Sequence, residues 1–166
     1  MRRVGVLTIS DRGARGEIDD RSGPLAATLV GETTGWLVEQ RAIVPDEFEA
    51  ITRALIAWCE GGLDLILTSG GTGFAPRDIT PEATRAVIDR EAPGLAETLR
   101  AESLKVTRHA MLSRAVAGMR GRTLIINLPG NPKAVREGLE VLMPVLPHAL
   151  DLLTERPESG QSHRSL

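Results

Sequence analysis

Leu63-Asp64-Leu65-Ile66-Leu67, continuing into Thr68-Ser69-Gly70-Gly71-Thr72-Gly73-Phe74-Ala75-Pro76-Arg77-Asp78-Ile79-Thr80-Pro81-Glu82, decides the fold of this chain. The first five residues form an apolar run and read as a buried strand. Past the glycines, Thr80 reads as a helix N-cap with Pro81 at the first helical position, and Ala83-Thr84-Arg85-Ala86-Val87-Ile88 as the helix body. A glycine-rich turn between a buried strand and a helix lets backbone amides approach an anionic ligand without side-chain obstruction. Here the turn also carries hydroxyls, an arginine and a carboxylate, which points to phosphate chemistry with a metal ion. The spacing lacks GxxxxGK, so the turn is not a P-loop.

Working outward, the same unit recurs. Val4 to Ile9 reads as a strand ending in Ser10-Asp11-Arg12, and Gly13 to Arg21 as a loop. A helix starts at Ser22-Gly23-Pro24. Trp36 to Val44 reads as a second strand whose charges place it nearer an edge than the centre. Asp46 is the expected N-cap of the next helix, with Glu49 completing a capping box. Phe48, Ile51, Leu55, Trp58 and Gly62 make its apolar stripe. After the helix from Pro81 to about Arg90, Glu91-Ala92-Pro93-Gly94 is a break and Leu95 to Val106 another helix. A short strand is expected through Ala115-Val116-Ala117, and a buried one over Arg122 to Leu128. Pro129-Gly130-Asn131-Pro132-Lys133 repeats the strand-to-helix turn with Asn131 as N-cap, and helices follow over Pro132 to Met143 and Pro144 to Leu153. Strands alternating with helices predict an α/β fold, a three-layer α/β/α sandwich around a mostly parallel central sheet. Residues 1–154 are expected to form one domain, and 155–166, which lack any apolar period, a disordered C-terminal tail.

Composition narrows the function. The 166 residues are 42% hydrophobic and 25% charged, the balance of an ordinary globular chain. Aromatics are only 2% and the net charge is -2, with a pI near 6.0, which argues against nucleic acid or an anionic membrane as partner. The single Cys59 excludes an internal disulfide and fits a reducing compartment. No apolar stretch approaches the roughly 20 residues that span a bilayer, and Val4 to Ile9 is too short for a signal-peptide core. A cytoplasmic location is the expectation.

In a parallel sheet, ligands gather beyond the carboxyl ends of the strands. Ser10-Asp11-Arg12, Pro45-Asp46, Ser69 to Asp78 and Pro129 to Lys133 all leave strand ends, so they are expected to converge. Asp46 has a bland reading as a helix cap, and Asp78 one as an acceptor for loop amides. Arg12 and Arg77 read as solvated charges. Lys133 is disfavoured at the positive end of a helix dipole unless an anion lies beside it. His109, His148 and His163 lack ligand spacing. Phe74 can cover a planar ligand, with packing under the loop as the expected role.

Thr68 to Thr84, Asn127-Leu128-Pro129-Gly130 and Ser10-Asp11-Arg12 closely resemble the molybdopterin adenylyltransferase family, including the G domain of gephyrin. The resemblance extends through Asp20-Arg21-Ser22-Gly23, Val44-Pro45-Asp46-Glu47, Met111-Leu112-Ser113-Arg114 and Leu146-Pro147-His148-Ala149, and so covers nearly all of the chain but the tail. It implies Mg²⁺- and ATP-dependent transfer of AMP to the terminal phosphate of molybdopterin, with release of pyrophosphate. It also implies a homotrimer whose product is consumed by a downstream molybdenum-insertion enzyme. On the same grounds Asp46 and Asp78 are the catalytic, magnesium-linked pair. Ser10, Asp11, Ser69, Gly70, Gly71, Thr72, Gly73, Thr80, Pro129, Gly130, Asn131 and Lys133 line the pterin and nucleotide sites. A non-catalytic molybdopterin carrier, or a scaffold module, is the alternative.

Overall fold

The computed structural model describes residues 1–154; the tail expected over 155–166 lies outside the described residues. Six strands form one sheet: β1 (Arg3–Ile9), β2 (Leu37–Val44), β3 (Leu65–Ser69), β4 (Arg90–Glu91), β5 (Ala117–Arg120) and β6 (Thr123–Leu128), in the order β2-β1-β3-β6-β5-β4. The helices are α1 (Asp11–Ala14), α2 (Ser22–Thr34), α3 (Phe48–Glu60), α4 (Thr80–Val87), α5 (Pro93–Leu104), α6 (Pro132–Leu142) and α7 (Leu146–Leu153). β2, β1, β3 and β6 run parallel, while β5 and β4 join antiparallel at one side. The mostly parallel three-layer sandwich is therefore present.

Two-residue alternation divides the core. In β3 and β6, Leu65, Leu67, Leu124 and Ile126 face α2, α5, α6 and α7, whereas Ile66 and Ile125 face α3 and α4. A central strand covered on both faces must be apolar throughout, which is why these segments read as continuous runs. β2 lies at the edge, and its mixture of charged and apolar residues leaves five of eight exposed. On the α3 side, Trp58 and Leu63 lie over Gly5, where a Cβ would come within 2.7 Å of both side chains. Ile51, Leu55 and Trp58 are buried as the helical stripe requires, but Phe48, at the start of α3, is 41% exposed.

Several elements depart from expectation for identifiable reasons. Asp46 does not cap α3: the helix begins at Phe48 with Glu47 as N-cap and no side-chain cap bond, because the Asp46 carboxylate is occupied elsewhere. Thr80 is the first residue of α4 rather than its cap, and its hydroxyl donates to the Gly70 carbonyl at 2.9 Å. The loop expected from Gly13 opens with the helical turn α1, capped by Ser10, whose Oγ accepts from the Gly13 amide. α4 stops at Val87, so that Asp89 donates to the Met119 carbonyl and β4 pairs with β5. The strand expected at Ala115-Val116-Ala117 is displaced to Ala117–Arg120. Arg100 Nη1 donates to the Ser113 and Ala115 carbonyls, and the Val116 amide donates to Asn127 Oδ1, which draws that segment out of the ladder. Asn131 is the cap expected of it, accepting from the Ala134 amide at 3.0 Å, with Pro132 opening α6.

Asn127 ties three elements together. Fully buried, it accepts from Val116 and donates to Thr68 Oγ1 and Thr84 Oγ1, both at 2.9 Å. Asn127→Leu keeps the volume but orphans buried groups on each side. Each orphan costs about 1–3 kcal/mol, so the variant is expected to lose about 3 kcal/mol. For a chain of this size that is a fall in Tm of roughly 6–12 °C, checked by thermal denaturation.

Candidate functional site at the strand ends

The four parallel strands end level. Ile9 pairs with Val44, Thr8 with Ser69, and Ser69 with Leu128. The chain passes from β1 to β2 on one side, then crosses to β3 on the other, so the strand order reverses at β1. That reversal opens a crevice between the loops after β1 and β3, where α/β sheets bind ligands. Each of the four polar segments expected to converge emerges at this rim.

Asp46 and Asp11 clasp each other. The Asp11 amide donates to Asp46 Oδ2 at 2.8 Å, and the Asp46 amide donates to Asp11 Oδ1 at 3.1 Å. Asp46 Oδ1 faces Gly71, where a Cβ would lie 3.1 Å from it and 2.2 Å from Thr80 Oγ1. Gly71 (φ 66°) and Gly70 (φ 102°) both adopt backbone that favours glycine, and a Cβ on Gly70 would come within 2.3 Å of the Ile9 carbonyl oxygen. The glycine pair is thus what lets the loop press against β1 and the acidic clasp.

Asp78 lies on the far arm of the same loop. Its Oδ2 accepts from the Ala75 amide at 3.0 Å, its own amide donates to the Ala75 carbonyl, and it approaches Gly73 so closely that a Cβ there would be 2.9 Å from Oδ2. Among the described residues, no hydrogen bond occupies Oδ1 of either Asp46 or Asp78. Burial pushes the Asp46 carboxyl above its usual range; the charges of Asp11 and Asp78 push the same way, and the Asp11 amide and the Arg77 guanidinium oppose them without cancelling the rise. Negative charge is therefore gathered here and incompletely compensated.

Arg77 is not merely solvated. It grips Asp11 bidentately, Nε to Oδ2 at 2.5 Å and Nη2 to Oδ1 at 2.9 Å. That guanidinium holds the Asp11 carboxyl below the ordinary carboxylate range. A lowered native value adds stability above the ordinary carboxylate pKa, and the gain is lost as pH falls through the lowered value. Arg77→Met is expected to raise the Asp11 pKa, as read by carboxyl NMR titration. Since the pair is exposed and screened by solvent, stability at neutral pH should fall only slightly, as read by thermal melting.

The turn after β6 closes the other side. A Cβ on Gly130 would lie 3.4 Å from the Gly70 Cα, Ser69 Oγ donates to the Pro129 carbonyl, and Ser22 Oγ donates to the Gly130 carbonyl. Two cavities flank this meeting of loops. One, about 270 Å³, is bordered by Thr8, Ser10, Asp20, Ser22, Ser69 and Gly130. The other, about 250 Å³, is bordered by Thr72, Gly73, Leu99, Arg100, Asn127 and Asn131. Of the sequence candidates, Ser10, Asp11, Asp46, Ser69 to Gly73, Asp78, Thr80 and Pro129 to Asn131 are brought together. The Lys133 side chain is 75% exposed and lies 3.7 Å from Glu137 one turn along α6. Phe74 is 68% exposed rather than packed under its loop. Sequence reasoning missed Asp20, which accepts from Thr8 Oγ1 and the Gly23 amide at the first cavity, and Arg114, which donates to the Gly73 and Asp78 carbonyls.

The family profile described as "Probable molybdopterin binding domain" matches residues 5–148. The chain belongs to this family. It is 45% identical over 152 residues to a molybdopterin adenylyltransferase of Helicobacter pylori, an alignment covering 90% of this chain and 86% of that one. It is 44% identical to gephyrin of Dictyostelium discoideum across 98% of its own length, and spans about a quarter (24%) of that longer protein. Among solved structures, the molybdopterin biosynthesis enzyme MoaB of Thermus thermophilus superposes with a TM-score of 0.88 at 56% identity, covering 95% of this chain and 99% of that one. In this member of the molybdopterin-binding family the two glycines, the acidic clasp and the Asn131 cap occupy the strand-end rim described above.

Proposed function

We propose that this chain is a molybdopterin adenylyltransferase, transferring AMP from ATP to the terminal phosphate of molybdopterin and releasing pyrophosphate. The observation that carries this reading is the pair Asp46 and Asp78, each with an oxygen free of hydrogen bonds, on either arm of a glycine loop at the sheet's switch point. The 45% identity to a molybdopterin adenylyltransferase supports it.

The donor set fits Mg²⁺. Among the described residues no group of three or more His, Cys, Asp and Glu side chains could hold a metal ion. Two carboxylates with phosphates and waters are the usual Mg²⁺ environment, and the uncompensated charge at Asp46 favours a cation. When bound, Mg²⁺ neutralises charge developing on the phosphate oxygens.

The chain's own part is positioning, because phosphoryl-type transfer needs little covalent help. The Gly70-Gly71 backbone brings phosphate oxygens close to Asp46. Asp11, fixed by Arg77, holds the Asp46 carboxylate through its amide. The cavities on either side of the Gly70–Gly130 contact give the two substrates separate approaches to one meeting point, with Thr72 as a polar contact in one and Ser10 in the other. No nucleophilic side chain is required, since the molybdopterin phosphate attacks the α-phosphorus and pyrophosphate leaves. Residues 1–154 serve as the binding unit, in a cytoplasmic homotrimer that passes its product to a molybdenum-insertion enzyme.

Pyrophosphate release by the purified chain with Mg-ATP tests this. Release that depends on added molybdopterin is expected; tight pterin binding without release would instead support the carrier reading.

A further inference from the structure

We propose that Arg114 is the positioning residue that holds the Asp78 arm of the loop in its working geometry; the proposal rests on the adenylyltransferase reading. Residues 74 to 77 are all exposed; Arg77 ties one flank of the arm to Asp11, and the first apolar side chain packed against the core is Ile79, just past Asp78. Internally it is closed only by the Ala75–Asp78 bonds. Arg114 reaches it from a segment more than thirty residues away, between α5 and β5, and makes contact at both ends. Its backbone amide donates to the Thr72 carbonyl at 2.9 Å, Nε to the Gly73 carbonyl at 2.7 Å, and Nη2 to the Asp78 carbonyl at 2.5 Å. Nη1 is held by Glu82, in the first turn of α4, so the guanidinium plane is itself oriented by the helix that follows the loop.

The geometry uses what only arginine offers. A planar fork spans the Gly73 and Asp78 carbonyls while a third donor meets a carboxylate; an ammonium is a single point of attachment without that shape. Asp78 follows directly, since its carbonyl and its carboxylate sit on one residue whose main chain is fixed from outside. A carboxylate on an exposed loop must be held within about 0.5 Å to act in phosphoryl chemistry, and displacements near 1 Å can cost about a hundredfold in rate. Arg114 touches neither cavity floor nor the free Asp78 Oδ1, so it acts through the loop.

The test compares Arg114→Gln, Arg114→Lys and Glu82→Gln with the parent in three measurements: pyrophosphate release, amide hydrogen exchange, and thermal melting. Both Arg114 variants should lower kcat by about tenfold to a hundredfold with KM for ATP within about twofold, because what is lost is alignment rather than ground-state binding. Glu82→Gln, which reaches the loop only through Arg114, should show a smaller fall in the same direction. Exchange of the Ala75 amide should quicken about tenfold, while amides of β3 and β6 keep their protection. A further variant, Arg114→Ala, should lose activity to the same degree, and added guanidinium ion should restore part of it. Parent-like kcat in a folded Arg114→Gln, or unchanged protection at Ala75, would overturn the proposal. A parent that turns nothing over would instead remove the adenylyltransferase reading, and the Ala75 exchange would still decide the role of Arg114.

Discussion

Asp78→Asn is expected to lower adenylyl transfer by about a hundredfold or more, close to 3 kcal/mol of transition-state stabilisation. Asparagine is nearly isosteric, and its Oδ1 can keep the bond from the Ala75 amide, so the loop should hold its shape. What disappears is one negative charge at the site of the free oxygen. If Asp78 were only an acceptor for a loop amide, that substitution would be almost silent. Molybdopterin affinity should stay within a few-fold, because the loss concerns charge on the reacting phosphates rather than pterin contacts. Steady-state pyrophosphate release together with a pterin titration by fluorescence separates the two roles.

Asp46→Asn is expected to remove activity to a similar degree and yet stabilise the protein without metal. The sign follows from its environment. Burial and the neighbouring Asp11 and Asp78 charges raise the native carboxyl pKa above the unfolded value. The native state then binds the proton more readily than the unfolded chain, so an ionised Asp46 opposes folding at neutral pH, and the penalty fades as pH falls through the raised value. Asparagine carries no charge and can still accept from the Asp11 amide. Its Tm at neutral pH should therefore equal or exceed that of the parent, with the difference shrinking in acid. Melting curves across pH check this. A clear loss of stability at neutral pH would show that the carboxylate serves the fold after all.

The parallel layout and the converging strand ends were legible because each rests on local signals. Leu65 to Leu67 and Leu124 to Ile126 are continuous apolar runs, and the charges scattered through β2 mark it as an edge. Asn131 followed by Pro132 is a cap whose partner, the Ala134 amide, lies within the same turn. The misreadings share one cause. Asp46 and Thr80 have the side chains of helix caps, but each is claimed by a group distant in sequence: the Asp11 amide for one, the Gly70 carbonyl for the other. Asn127 and Arg100 likewise shift β5 by taking backbone groups that a strand would have used. Arg114 was invisible as a site residue for the same reason, since its acceptors lie about forty positions upstream. For Asp46, the failure of the cap reading matters most, because its carboxylate then faces the rim, with Oδ2 on the Asp11 amide instead of on the helix.

The most direct test of adenylyl transfer at this rim is to follow label from ATP marked in its α-phosphate into molybdopterin, with and without Mg²⁺. The account predicts labelled, adenylylated molybdopterin in the presence of Mg²⁺, little without it, and almost none from Asp78→Asn. Molybdopterin bound by the native chain yet unlabelled in the presence of Mg-ATP would contradict it.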